Sequence, residues 1–348
     1  MVTMRIGNRL LNSDSPVFVV AEIAGNHEND PEKARALVRA AKAAGADAVK
    51  YQYFKSENMA APGCGITVAP WKEPLDVLYK SLETGLATVR AIVEEAEKQA
   101  IVCFPTLYSI PDAEFFLKEF KVPAVKVASF ELNDAHFLIW LDVNLPKEVP
   151  VILSTGMATK REVRRACEQL MWPRPLGVLH CISAYPAPLS GMNLRQLGTL
   201  APWRDDGDVT VIGLSDHCAD PLASVVAVAC GARIIERHFA LETDEQGNNY
   251  CGNPDSFRNY VENIRKVEKA LGSGRYDDSR VAEKECRKAQ RSLWFVRDVA
   301  IGVAVTEADI AGLRGCKGVP TCRWNNVVGR VTKIAVKAYT PVTPEVLE

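Results

Sequence analysis

The chain of 348 residues has no GxGxxG, no GxxxxGKS/T and no CxxC. The first two absences remove the glycine-rich loops that cradle dinucleotide and nucleoside phosphates. The third removes the commonest zinc and dithiol signatures. No apolar run approaches the ~20 residues that a membrane-spanning helix needs. The opening stretch, MVTMRIGNRLLNSDSP, is polar and lacks the apolar core of a signal peptide. Basic residues do not interleave with aromatics, and 42 Lys and Arg nearly cancel 43 Asp and Glu. Neither nucleic acid nor an anionic membrane is therefore a predicted partner, and a cytoplasmic protein is expected. The ten cysteines are scattered through apolar segments, with Cys103 in a strand pattern and Cys167 and Cys230 in helical ones. Most are expected to be reduced core residues. Cys181, Cys218 and Cys251 fall near the candidate site developed below.

What is present is a regular alternation. Apolar strand patterns begin at VFVVAEIA (17–24) and ADAVKYQYF (46–54), and recur near 101, 124, 150 and 176. VTVIGLS and ARIIERHF complete a set of eight. Helical patterns intervene, starting with PEKARALVRAAKAAG (31–45). A polar excursion from Lys55 to about Glu73 is followed by a long helix that breaks near Thr84 and Gly85. The strands are apolar on both faces, as parallel strands covered by helices are. Eight βα units over about 250 residues predict a TIM-type (β/α)8 barrel rather than an open doubly wound sheet. The expected division is a barrel over 1–272, a charged linker over 273–290 and a small β-rich domain over 291–348. A domain of that size is marginal alone and is expected to pack on its own barrel or a partner's.

In such barrels the chemistry sits at the C-terminal ends of the strands. Those ends carry Glu22, Asn26 and His27 on the first strand, Lys50 and Gln52 on the second, and Lys126, Ser129 and Glu131 on the fourth. Ser154 and Thr155 follow on the fifth, and His180, Ser183 and Tyr185 on the sixth. Ser215, Asp216 and His217 end the seventh, and Glu236 and His238 the eighth. Four of only five histidines fall there; His136 lies in a helical segment and is assigned a structural role. His217 and His238 each have a carboxylate nearby, Asp216 and Glu236. Two neutral imidazoles on adjacent strands suit Mn²⁺, Fe²⁺, Zn²⁺ or Co²⁺ in an open site. Lys50 and Lys126 lie inside apolar strands, where an unpaired ammonium costs several kcal/mol or more. They imply either an anionic ligand, carrying phosphate or carboxylate, or ion pairs with Glu22, Glu131 or Glu236. The two readings are compatible.

The ordered set AEIAGNHEND, DAVKYQYF, VKVASFELND, VILSTGMAT, HCISAYPAP, GLSDHCADP and IERHFALE resembles the sialic acid synthase family over nearly the whole chain. The terminal RSLWFVRDVAIGVAVTEADI through WNNVVGRVTKIAV looks like that family's antifreeze-like (SAF) domain. The resemblance implies condensation of phosphoenolpyruvate with an N-acylated amino-sugar aldose, giving a 2-keto-3-deoxy acid and phosphate. It implies a divalent ion, typically Mn²⁺ with Mg²⁺ or Co²⁺ as alternatives, on His217 and His238. Lys50, Gln52, Lys126, Ser129, Ser154 and Ser215 would hold phosphoenolpyruvate. Glu22, Glu131 and Glu236 would serve the acceptor and the attacking water, with Ser183, Tyr185 and Asn249 on the acceptor side. A domain-swapped homodimer is also implied, in which Arg314 of one chain reaches the acyl group in the other.

Three departures fall on the acceptor side: Ser183 where many members have Asn, Gly247 to Asn249 where they have GPD, and Arg314-Gly315-Cys316 where RPG is common. They leave open a non-mannosamine aldehyde. A Schiff-base lyase acting through Lys126 and a non-catalytic sugar-acid binder are the competing functions.

Overall fold

The computed structural model describes residues 3–170, 174–205, 209–243, 249–276 and 281–348. Two short strands, β1 (Met4–Ile6) and β2 (Arg9–Leu11), pair antiparallel ahead of the repeating part. Gly7 makes the turn between them at φ +58°, a conformation that side chains rarely adopt. The hairpin is a correction to the reading of the N-terminus as merely polar. Met4, Ile6 and Leu11 are fully buried among Phe18, Ile152, Leu179 and Ile234.

The barrel strands are β3 (Phe18–Glu22), β4 (Ala48–Tyr53), β5 (Val102–Leu107) and β6 (Val125–Val127). They continue with β7 (Val151–Ser154), β8 (Leu176–Cys181), β9 (Val211–Asp216) and β10 (Ile234–His238). All neighbours pair parallel, and β10 closes onto β3, so the expected closed barrel is the observed one. Eight strands leave an interior just wide enough for side chains to fill. Here its lower part is filled by the apolar cluster around the hairpin.

Helices α1 (Pro31–Ala43), α2 (Leu75–Leu82), α3 (Leu86–Lys98), α4 (Ile110–Glu119) and α5 (Ala135–Asn144) cover the first half. The second half is covered by α6 (Lys160–Gln169), α7 (Leu197–Asp205), α8 (Leu222–Ala229) and α9 (Pro254–Leu271). Local sequence places their starts. Asp30 accepts from the Glu32 and Lys33 amides ahead of α1, with Pro31 at its first position. Thr159 and Glu162 form a reciprocal capping box on α6. The predicted break at Thr84 and Gly85 separates α2 from α3, and the Gly85 amide donates to Asn29 Oδ1 at 2.8 Å. Among the described residues, no helix is long and apolar enough to cross a membrane.

The chain divides into two compact units, Met1–Leu271 and Gly272–Glu348. In the second, β11 (Arg291–Phe295) and β12 (Ile310–Arg314) pair antiparallel. Leu293, Phe295, Ile310, Val336 and Val342 form its small core. All ten cysteines are free, but only Cys167, Cys181, Cys218 and Cys251 are buried. The expectation that most are core residues fails: Cys286, Cys316 and Cys322 belong to the second unit, which has little core, and Cys230 caps the exposed end of α8.

The hairpin is expected to carry measurable stability. Leu11→Ala should destabilise the barrel by ~2–5 kcal/mol, the range for emptying a fully buried leucine site, read as a shift in urea unfolding midpoint at unchanged slope.

Candidate active site

Strand alternation sends every second side chain toward the barrel axis. Above the apolar plug, each strand ends with one polar inward residue: Glu22, Lys50, Thr106, Lys126, Ser154, Cys181, Ser215 and Glu236. None is more than 6% exposed. Together with Gln52, Ser129, Tyr185, His217 and His238, most of them line a pit of about 50 Å³.

Lys50 forms an ion pair with Glu22, donates to Thr106 Oγ1 at 2.5 Å and lies 3.7 Å from Glu236 Oε1. Lys126 Nζ lies 4.0 Å from Glu236 Oε2, and Ser215 Oγ donates to Oε1 of the same carboxylate at 3.1 Å. Burial pulls the Lys50 pKa down to about 7, with Lys126 adding to the effect against the attraction of Glu236. Burial pushes Glu236 the other way, but Lys126, Lys50, His217 and Ser215 outweigh it and hold the carboxyl below its ordinary value. The ion-pair reading of the lysines is therefore correct as far as it goes.

It does not exhaust the site. Ser154 Oγ and Ser183 Oγ are buried with no hydrogen-bond partner, and an unmet buried hydroxyl costs about 1–3 kcal/mol. Gly156 backs this corner. Its amide donates to Ser129 Oγ at 3.0 Å, and a Cβ there would lie 2.1 Å from Ser183 Oγ and 2.8 Å from Ser129 Oγ. The unmet Ser154 hydroxyl lines the pit with both ammonium groups, a donor set whose chemistry suits an anion.

The two histidines meet at one side of the pit. Their ring centroids are 5.3 Å apart. His217 Nδ1 lies 2.9 Å from the Ile182 carbonyl, which can only accept, so Nδ1 carries the proton and Nε2 the lone pair. Burial lowers the His217 pKa, but Cys181, the Ile182 carbonyl and Glu236 raise it further than that. Burial holds His238 well below 6.5, so its ring is neutral. A carbonyl fixing one ring while the other nitrogen stays free is the usual arrangement around a metal-ligating histidine. The donor set fits a divalent ion, although among the described residues no group of three His, Cys, Asp or Glu side chains is placed to hold one. Water and substrate would complete the coordination.

Several expected neighbours point elsewhere. Asp216 faces the helical layer, accepting from the Cys218 amide, from Ser224 Oγ at 2.6 Å and from Arg237 at 3.2 Å. Alternation puts it on the face opposite Ser215. His180 is likewise outward, its Nε2 donating to the Met192 carbonyl at 2.6 Å. His27 is buried at the rim, where Nδ1 accepts from the Asn29 amide at 3.0 Å. The helical His136 is exposed on α5. Glu131 follows β6, its Oε2 unpartnered and its pKa raised to about 7, mainly by burial. Asn249 is exposed and lines neither cavity; Gly247 and Asn248 lie outside the described residues. Arg314 is exposed at the end of β12 in the second unit.

Sequence reasoning missed Thr106, although the period of two that places Phe104 in the plug would have found it; of the three cysteines expected near the site, Cys181 lines the pit and Cys218 and Cys251 do not. Cys181 Sγ lies 3.9 Å from His217 Nδ1. It also missed a chamber of about 270 Å³ that shares Gln52, Tyr108, Phe130, Tyr185 and His238 with the pit. Its remaining wall includes Trp71, Leu75 and Tyr79, from the excursion and α2, and Tyr250.

Residues 37–276 match a family profile described as NeuB family, and residues 290–348 one described as SAF domain. A pseudaminic acid synthase from Campylobacter jejuni is 35% identical, covering 94% of this chain and 95% of that protein. A human N-acetylneuraminate-9-phosphate synthase is 30% identical over 76% of this chain and 74% of that protein. The crystal structure of an N-acetylneuraminic acid synthetase from Leptospira borgpetersenii, in complex with citrate, superposes with a TM-score of 0.69. It is 27% identical, covering 82% of this chain and 98% of that one.

His27 gives the rim a pH signature. Burial, with Lys33, lowers its pKa from 6.5 to about 4. Between those values the unfolded chain binds a proton that the folded one refuses. Stability is thus full above about pH 6.5 and falls as pH drops toward 4, by ~3 kcal/mol. Urea unfolding of His27→Gln across that window should be less steep in pH than the parent's by that amount.

Proposed function

This chain belongs to the NeuB family, and from that membership we propose that it condenses phosphoenolpyruvate with an N-acylated amino-sugar aldehyde. The products are a 2-keto-3-deoxy sugar acid and phosphate. Its relatives are named synthases, and it is an enzyme of that kind. The observation that carries the reading is the charge layout of the pit: two buried ammonium groups and the unmet Ser154 hydroxyl in one lining with paired imidazoles.

Lys50 and Lys126 hold the phosphate and carboxylate of phosphoenolpyruvate as preorganised charges, with Gln52, Ser129, Ser154 and Ser215 donating to its oxygens. His217 and His238 would hold a divalent ion, Mn²⁺ first and Mg²⁺ or Co²⁺ next. When bound, such an ion supplies Lewis-acid polarisation of the acceptor carbonyl. Carbon 3 of phosphoenolpyruvate bonds to the carbonyl carbon, and the carbonyl oxygen takes a proton. Water adds its hydroxyl to carbon 2, whose bond to the phosphate oxygen then breaks. Phosphate leaves with that oxygen and takes up the proton of the added hydroxyl, and carbon 2 becomes the ketone. Glu22, ion-paired to Lys50, and Glu236, between both lysines, are placed to take the proton from water and return one to the product. Glu131 and Tyr185 serve the acceptor side. The family resemblance supports a homodimer in which Arg314 of one chain contacts the acyl group in the other.

One observation favours a second reading. A lysine pulled down to about 7 is a Schiff-base candidate, and Lys50 is such a lysine. Its ion pair with Glu22 at the pit floor favours anion binding instead.

With Mn²⁺ and a panel of amino-sugar aldoses, phosphoenolpyruvate labelled with ¹⁸O at the bridging position should yield labelled phosphate. Chelation should stop the reaction, and borohydride should trap no lysine. Unlabelled phosphate, release with no aldose, or a trapped lysine would each overturn the proposal. Lys126→Met should lower kcat/KM by about 100-fold or more, and His217→Ala should abolish both metal binding and turnover.

A further inference from the structure

The residue before each of the two paired histidines faces away from the pit. Asp216 and Arg237 are registered partners on β9 and β10, and both are buried in the helical layer outside the barrel. Arg237 Nη1 donates to Asp216 Oδ2 at 3.2 Å, and its Nη2 donates to the Ala219 carbonyl at 3.2 Å. Tyr260 on α9 donates to Ser224 Oγ at 2.6 Å, and Ser224 on α8 donates in turn to the same Asp216 oxygen at 2.6 Å. The other oxygen, Oδ1, accepts from the Cys218 amide at 2.8 Å, so the backbone on both sides of His217 is tied to one carboxylate. The Arg237 guanidinium also lies 5.3 Å over the Tyr260 ring.

This pair is the last rung of its ladder. Asp216 and Arg237 are the final registered residues between β9 and β10, and His217 and His238 each stand one residue beyond them. At the rings themselves the support is unequal. His217 is held by the Ile182 carbonyl at 2.9 Å. The His238 ring has no hydrogen bond among the described residues and meets the rings of Tyr185, His217 and Tyr250. A buried ion pair is weak evidence for stability, and a fixed arrangement is its best-attested use. Resting on the reading of the two histidines as metal ligands, we propose that Asp216 and Arg237 are positioning residues: their ion pair, on the outer face of β9 and β10, sets the spacing of the His217 and His238 imidazoles and thereby the affinity for the divalent ion. Asp216 acts through the backbone and not as a ligand, because alternation turns it away from the pit. Arg237 carries the larger share, because the His238 ring lacks a hydrogen bond of its own to fix it.

Mn²⁺ binding to the full chain without substrate reads the effect directly, from loss of the free ion's paramagnetic resonance signal on titration. Arg237→Met alone leaves the Asp216 carboxylate buried and unpaired, which is costly whatever the pair does. The main variant therefore joins Asp216→Asn to Arg237→Met and removes both charges together. It should keep a urea unfolding midpoint close to the parent's, yet raise the Kd for Mn²⁺ by about 10-fold or more, the range for groups that orient metal ligands. Arg237→Lys, which keeps the charge, should bind Mn²⁺ more tightly than the double variant. A purely structural pair would move the midpoint and leave the Kd of the folded protein unchanged. A double variant that binds Mn²⁺ like the parent, or one that does not fold, would sink this inference and leave the metal reading standing. Absence of Mn²⁺ binding by the parent, or full binding by His217→Ala, would remove the metal reading and this inference with it.

Discussion

Two ammonium groups buried in the same barrel are the constraint on which the rest of this structure depends. Lys50 and Lys126 are 3% and 2% exposed, and like charges so placed repel each other as well as losing their water. Glu22 and Glu236 offset part of that cost, with Thr106 and Ser215 completing the network. The network leaves the hydroxyl of Ser154, which lines the same pit, without a hydrogen-bond partner. A buried ion network is weak evidence for stability. Its value here is a fixed geometry of charge that does not have to reorganise during reaction.

The lower barrel supplies the stiffness such a network needs. The β1–β2 hairpin fills the floor with Met4, Ile6 and Leu11, so the polar layer rests on a dry apolar plug. Above it, the excursion and α2 build a chamber of opposite character. A charged pit and an aromatic chamber without charged lining among the described residues thus share one boundary at Gln52, Tyr185 and His238. The NeuB-family match, residues 37–276, covers the barrel from β4 to α9.

Much of this was legible in the sequence because a parallel barrel writes itself as a repeat. Each strand needs an apolar run, each crossover a helix with its cap, and each catalytic group a place at a strand's end. Lys50, Lys126, His217, His238 and Glu236 stood out because charge inside an apolar strand is costly and therefore purposeful. Asp216 and His180 misled for the same reason: proximity in sequence to a strand end does not say which face a side chain takes. A consistent period of two would have turned both outward and brought Thr106 in.

The sequence by itself determined the strand and helix order, the closed barrel with its second β-rich unit, and which charged and imidazole side chains lie at the strand ends. Those follow from periodicity and from the energetic cost of burying charge, which are properties of short stretches. Only the tertiary structure decided which polar groups remain unmet and how the lysines share two carboxylates. It alone showed that Trp71, Tyr79, Tyr108 and Tyr250, from separate segments, form one neutral wall. These are distances between parts of the chain far apart in number, and no local pattern encodes them.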